Sequence, residues 1–571
     1  MRHWGKLLAA VFLALLLAAP AGAEEESCDA VLISSAVYVN DQRCAIPGYA
    51  IGGGDYFRLR DLAAALSGTS CRFDVAWNQA ERLVEVSRGV PYSGEASGGA
   101  LPEAAEAVPS QAGLLVDGRI MELASYNVQG STYYPLGELG ALLGFQVCWA
   151  EGDICLYTGL GEGAWLADRS AGEVRVMNRE KSTQRWPGAC RSYLFGGGET
   201  FSVLDVSESG GEEVLALDIY ESGTLQLLES REIPLELDFF GGFCAGEDAC
   251  YIVFGCNNME ADDGKEVIRV VRYDYSFNRL GAASITGGDC ATLRPFDAGT
   301  LRMSESGGQL VIHTSRAAYG SAEDRESQLT LLLDTETMTV TNSLALYQDN
   351  DVSRSLNQFV LHDGGRHALV DHADAYPRGV VLHQYNGASY TATMLLPIPG
   401  ETGASCTGVT VGGFAASGSS YLVAINTVDH SQVRAYTDYT LEGLSPDERD
   451  VVVLASPKGN LRPEAVRYVQ LTDYAGQGAL GSTPYLVPLE EERFLVLWEE
   501  FRYEETDAGA YAAQDAGVRY VEVDGEGQPL GPVQSLEDAR LSYDCQPVYW
   551  EGRVLWYVNA RAGRIFYEIG M

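Results

Sequence analysis

Apolar positions recur at helical spacing twice near the start of the chain and at strand spacing almost everywhere after it. Within "YFRLRDLAAAL", Leu59, Leu62, Ala63 and Leu66 fall at i, i+3, i+4 and i+7. That spacing gathers them on one face of a short helix and turns Arg58, Arg60 and Asp61 toward water. Leu136, Leu139 and Leu143 repeat the pattern in "YYPLGELGALL", where Pro135 suits the first helical turn and Gly144 the stop, as Gly68 does in the first case. Each helix is preceded by a turn-forming hairpin pattern and followed by "F-x-V-x-W", at Phe73–Trp77 and Phe145–Trp149.

These two stretches are copies. Shifted by 77 positions, Val39, Tyr49, Gly53, Tyr56, Leu59, Leu62 and Leu66 land on Val116, Tyr126, Gly130, Tyr133, Leu136, Leu139 and Leu143. The pattern predicts one α+β domain over residues 24–158, built from repeats at about 30–88 and 112–158. The Gly-, Ala-, Pro- and Glu-rich residues 89–111 between them read as a linker. The helices and the tryptophans are expected to form its core.

From Ala164 helical periodicity ends, and alternating strands separated by Gly, Asp and Asn turns take over. With Asp218, Asp274, Asp334, Tyr385, Asp438 and Asp524 as turn markers, the unit returns at intervals of 56, 60, 51, 53 and 86. Four-stranded sheets too small to bury their own faces must stack on neighbours, so residues 160–571 are predicted to form a β-propeller. The count favours seven blades, and six or eight also satisfy the spacing. Three strands at the C-terminus and one or two near Ala164–Met177 are each incomplete and together make one blade, which closes the ring and hides its edges. The fold class is therefore mainly β.

Composition adds location and excludes partners. Arg2, His3 and Lys6, an apolar run from Leu7 to Ala19 and the small residues Ala21-Gly22-Ala23 make residues 1–23 a signal peptide, with no membrane span expected after its cleavage. The protein is expected to be secreted, extracellular or cell-wall-associated. With 79 acidic against 39 basic residues and a net charge of −40, nucleic acid is excluded as a partner, and cations or basic peptides are attracted. The twelve cysteines suit an oxidising compartment, and Cys148 with Cys155 and Cys244 with Cys250 flank short turns as candidate disulfides.

The motifs "YAIGGGDYFRLRDLAAALSGTSCRFDVAW" and "SYNVQGSTYYPLGELGALLGFQVCW" resemble the two halves of the copper amine oxidase N-terminal-like domain, a stalk module of exported proteins. The resemblance covers about residues 30–158 and implies an accessory module, not the oxidase chemistry: no Asn-Tyr-Asp/Glu precursor of a quinone cofactor and no His-x-His copper pair is present. The segments "HTSR", "SLNQFV" and "DHADAYPRGV" resemble uncharacterised secreted propeller-like proteins of Gram-positive bacteria.

The densest polar chemistry lies at "HTSR" and "VLHDGGRHALVDHADAYPRGVVLHQY". His313, Arg316, Asp371, His372, Asp374 and Arg378, with Tyr376 beside the stiffening Pro377, are the candidate ligand-binding residues, either as a recognition surface or as an internal clamp. His362, His367, His372, Asp371 and Asp374 offer metal donors, but no ligand spacing appears and strand parity separates His367 from His372, so neither metal nor cofactor is expected. No G-x-S-x-G elbow or phosphate loop occurs, and no catalytic residue is assigned. The pattern points to a non-enzymatic protein that binds an extracellular protein, peptide or cell-wall glycan; a propeller-type hydrolase or lyase acting on an extracellular polymer is the alternative.

Overall fold

The computed structural model describes residues 27–95, 101–169, 173–174, 190–209, 212–297, 301–319, 325–341, 355–374, 377–437, 440–490, 492–505, 511–543 and 545–571. Residues 1–26, where the signal peptide is expected, and Tyr376 and Asp438 lie outside them. The chain divides into two compact units, one of residues up to Val39 with Arg43–Val147, the other of Asn40–Gln42 with Cys148–Met571.

In the first unit, a closed six-stranded barrel runs in the order Cys28–Leu32, Gly48–Ile51, Gly54–Phe57, Ser131–Pro135, Tyr126–Val128, Ala104–Pro109. The two copies meet around a pseudo-twofold. Tyr49 packs on Tyr133 and Tyr56 on Tyr126, both with ring centroids 5.3 Å apart, so each tyrosine touches the counterpart of the other. The helices Leu59–Leu66 and Leu136–Leu143 bury Leu62 and Leu139 completely. Three expectations are corrected. The presumed linker supplies the barrel strand Ala104–Pro109, which pairs with Cys28–Leu32 through Ala30↔Ala105 and Cys28↔Ala107. Ala107 is fully buried there, in one apolar cluster with Tyr49 and Tyr133. Trp77 and Trp149 are 52% and 61% exposed, so they are not core. Arg58 and Asp61, expected in water, are buried and ion-paired at 2.5 Å.

The second unit is a β-propeller. Among the described residues seven antiparallel sheets of four or more strands follow one another, here numbered I to VII. Counted from the strands that touch between neighbouring sheets, their first strands are Ser192–Gly197, Phe239–Ala245, Arg302–Ser306, Ser355–Asp363, Val409–Ala416, Tyr485–Pro488 and Val548–Trp550. Each first strand lies against that of the next sheet, and that of VII lies against that of I, which closes the ring. Apolar layers between successive sheets hold them, for example Val253 and Val270 of II against Ile312 and Leu331 of III. Sheet VII is completed from both ends of the unit: Ala164–Ala167 pairs antiparallel with Gly563–Gly570, Ala164 opposite Tyr567 and Ala167 opposite Arg564.

Polar groups seal that joint. Arg564 of sheet VII is fully buried, bonds Asp205 at 2.6 Å and the Tyr220 hydroxyl at 2.6 Å, and pairs with Asp218 of sheet I. Tyr557 and Asn559 donate to Asp205 at 2.5 and 3.1 Å. Burial alone works against the guanidinium charge, but the surrounding carboxylates and tyrosines outweigh it and hold the Arg564 pKa well above its ordinary value. Asp218 is thus a buried strand residue and not a turn marker. Asp438 fails as a marker too, because the strands beside it, Ala435–Thr437 and Thr440–Glu442, form a separate two-stranded sheet inserted between the second and third strands of sheet V. No disulfide joins Cys148 to Cys155 or Cys244 to Cys250. In the second pair the register sets Cys244 opposite Tyr251 and Cys250 opposite Ala245, so their side chains leave opposite faces of the sheet.

Leu62→Ala is expected to cost roughly 2–5 kcal/mol in urea melts, as a core truncation does, and Trp77→Ala to stay within about 0.5 kcal/mol. Equal losses would contradict this placement of the core.

Candidate functional site

The candidate residues of the polar run come together only in part. Along Arg366–Ala373 of sheet IV, odd positions face sheet III and even positions face sheet V. Asp371 therefore meets His313 of sheet III, Nε2 to Oδ1 at 2.9 Å, while His313 Nδ1 lies 2.8 Å from its cross-strand neighbour Thr330. Gln328 donates to Asp371 at 3.1 Å, and His383, missed by the sequence reading, stands 3.6 Å from its second oxygen. Burial pushes the Asp371 carboxyl up, but His313, His383 and Gln328 more than reverse this and hold it below the usual carboxylate value. His313 and Asp371 are wholly inaccessible. This cluster bridges two sheets rather than facing solvent.

The remaining residues are separate. His372 points the other way and lies 3.0 Å from the Thr407 hydroxyl. Arg316, on the opposite face of its strand from His313, donates to the carbonyls of Cys290 and Ala291, so it does not clamp the acidic pair. Asp374 and Arg378 do form an internal clamp: Arg378 pairs with Asp374 and reaches the carbonyls of Pro399 at 2.8 Å and Cys406 at 2.5 Å, while the Ser405 amide donates to Asp374 at 2.6 Å. All six candidates are buried. Among the described residues no group of His, Cys, Asp and Glu is arranged to hold a metal ion.

What the ring leaves open is aromatic. Where the first strands of I, II and VII end, Tyr193, Phe195, Phe243, Tyr275, Tyr549 and Trp550 line a cavity of ≈ 380 Å³. Tyr193 and Phe195 pack on Phe243 at 5.3 and 4.6 Å, which holds the floor rigid, while Tyr275 at the lip is 45% exposed. Carboxylates act on two of the rings. The Tyr275 hydroxyl is pushed up to about 12, first by burial and then by the Cys250 and Cys244 thiols, Glu305 and Asp248. Glu490 bonds Tyr549 and raises it, adding to desolvation. Arg553 already lies 4.8 Å from the Trp550 ring centroid, so a cation on these rings has a precedent within the fold. Sequence reasoning passed over these residues because each looks like an ordinary strand aromatic; the signal was that "SYLF", "GGFCA" and "VYW" all occur in the opening strand of a sheet.

No family model matches the chain, so the resemblance of its first part to the copper amine oxidase N-terminal-like domain gains no support there, and no curated relative matches either. Solved structures similar to it include the β-propeller domain of the Trilobed protease from Pyrococcus furiosus, at 11% identity and TM-score 0.35, covering 66% of this chain and 97% of that one. An acylaminoacyl peptidase from Pyrococcus horikoshii gives 7% identity and TM-score 0.34 over 64% of this chain and 49% of that one. An α-L-arabinanase from Penicillium chrysogenum gives 12% and 0.29 over 45% and 73%. Likenesses this distant bear on no activity.

The buried histidines set a pH dependence. Burial, helped by the Arg378 and Arg449 charges, pulls His372 down to about 3, so the folded protein refuses a proton that the unfolded chain takes near the ordinary value of 6.5. This stability is full above the unfolded value and is lost as pH falls toward 3, amounting to roughly 2–3 kcal/mol by about pH 4.5. His372→Gln should therefore flatten the fall in urea midpoint between pH 7 and about 4.5. Parallel falls in variant and parent would contradict it.

Proposed function

We propose that the chain is an exported, non-enzymatic binding protein whose propeller captures a basic extracellular peptide by seating a lysine or arginine side chain in the aromatic cavity. One observation carries this reading: Tyr, Phe and Trp faces line a single cavity, with Glu305 and Asp248 acting on Tyr275 and Glu490 on Tyr549, in a chain of net charge −40. Aromatic faces attract cations through their quadrupole, and the overall field draws basic partners in from a distance. The acid–base pair that a hydrolase reading would use first, Asp371 and His313, is sealed between sheets. The first unit serves as an accessory module of the kind that the copper amine oxidase N-terminal-like resemblance implies, built of two packed copies.

The test is calorimetry on the full chain with a lysine-rich peptide, its glutamate-rich counterpart and a neutral one. Only the lysine-rich peptide should bind, more weakly at high salt. Tyr275→Ala should weaken it about tenfold, the worth of one desolvated cation–π contact of about 1–2 kcal/mol. Equal affinity for the acidic peptide, or indifference to Tyr275→Ala, would contradict the reading. Export is checked separately: the N-terminus of the mature protein should be Glu24, and recovery of the chain with Met1 intact would count against it.

A further inference from the structure

The first unit holds a second cavity whose chemistry is opposite to that of the protein around it. A space of ≈ 800 Å³ opens between three walls: the start of the helix Leu59–Leu66, the hairpin Phe73–Asn78 with Leu83–Arg88, and the barrel strands Tyr126–Val128 and Ser131–Pro135. Its volume falls within the range of small-molecule sites. Arg58, Arg60 and Arg82 line it, and among the described residues lining it there is no carboxylate, although the chain carries 79 of them. Arg60 and Arg82 are exposed and make no ion pair among the described residues. An acidic chain that keeps every Asp and Glu out of one arginine-lined cavity leaves it as a place where an anion is attracted rather than repelled.

The wall also contains polar groups that the protein leaves unsatisfied. Arg58 is 92% buried: its Nε is spent on Asp61, but its Nη2 has no partner among the described residues, and neither has the hydroxyl of Tyr134, which is 1% exposed. Buried donors without acceptors are costly, so an oxygen-rich ligand that reached them would offset that cost. On the opposite wall Trp77 is 52% exposed beside Val75 and Val84, offering a flat apolar face to the cavity. Guanidinium forks suit planar or tetrahedral oxyanions, and a half-exposed indole suits the apolar face of a ring.

From this arrangement we infer that the cavity is a binding site for an anionic saccharide, its oxyanion held by Arg60, Arg82 and the inward Arg58, and a sugar ring laid on Trp77. The inference does not rest on the propeller reading. Both sites can operate on the same chain, since their ligands are of opposite charge.

The test is calorimetry on the full chain with trigalacturonic acid as the acidic probe, a neutral galactose trimer, and inorganic phosphate. Trigalacturonate should bind, with the neutral trimer at least about tenfold weaker, because a charged hydrogen bond to an oxyanion is worth that much. Arg60→Ala and Arg82→Ala should each weaken binding by about tenfold at unchanged melting temperature. Trp77→Ala should weaken the trimer and leave phosphate unaffected. Equal binding of the neutral trimer, or undiminished binding by the double arginine variant, overturns the site. Phosphate binding as tightly as trigalacturonate overturns the saccharide assignment, and no binding of any probe overturns the whole.

Discussion

The propeller depends on a single buried charge. Arg564 sits with no accessible surface between the last sheet and the first, bonded to Asp205, Asp218 and Tyr220 of its neighbour. A ring of small sheets has no stable partial form, because each sheet buries its faces only on its neighbours. Sheet VII is assembled from both ends of the unit, with Ala164–Ala167 held to Gly563–Gly570 by strand pairing and not by a chain connection between them. There the apolar layer is supplemented by a guanidinium whose donors find acceptors only when sheet VII is seated on sheet I. Removing one partner of such a pair leaves an uncompensated charge and costs roughly 3–5 kcal/mol. The same residues give the joint its register, since a shift of one position would turn Arg564 to the other face of its strand.

The same device recurs between sheets III and IV, where His313 and Asp371 meet with Thr330, Gln328 and His383 around them. Polar residues that looked like chemistry in the sequence are therefore mostly fasteners. The groups that packing leaves over are aromatic faces at the ends of the inner strands of the propeller, and arginines in the first unit. Their surroundings differ: Glu305, Asp248 and Glu490 act on the tyrosines of the first set, and Arg58, Arg60 and Arg82 line the second.

Much of the architecture was legible because it is written in periodicity. Leu62 and Leu139 could be placed in the core from spacing alone, and the strand at Ala164 could be matched to the C-terminus because both ends carried incomplete units. Misreadings arose where composition spoke louder than register. Ala104–Pro109 looked like a linker for its alanines, yet the 77-residue offset carried further puts Ala30 on Ala107 and Val31 on Val108, which identifies it as the counterpart of Cys28–Leu32. Trp77 and Trp149 were placed in the core with Phe73 and Phe145, whose strand parity they share, yet four residues along the strand that face is no longer covered. The cluster around Asp371 was half visible: parity correctly separated His367 from His372, but that Asp371 and His313 would face one another depends on which sheets are neighbours, and no local pattern encodes that.

The closure of the ring is tested most directly by amide hydrogen exchange on the full chain, comparing the parent with Arg564→Met. The account predicts that sheets I through VII lose protection together, with unfolding still in one step at lower denaturant. If only Ala164–Ala167 and Gly563–Gly570 opened while the other sheets kept their protection and midpoint, the buried arginine would not be what holds the ring shut.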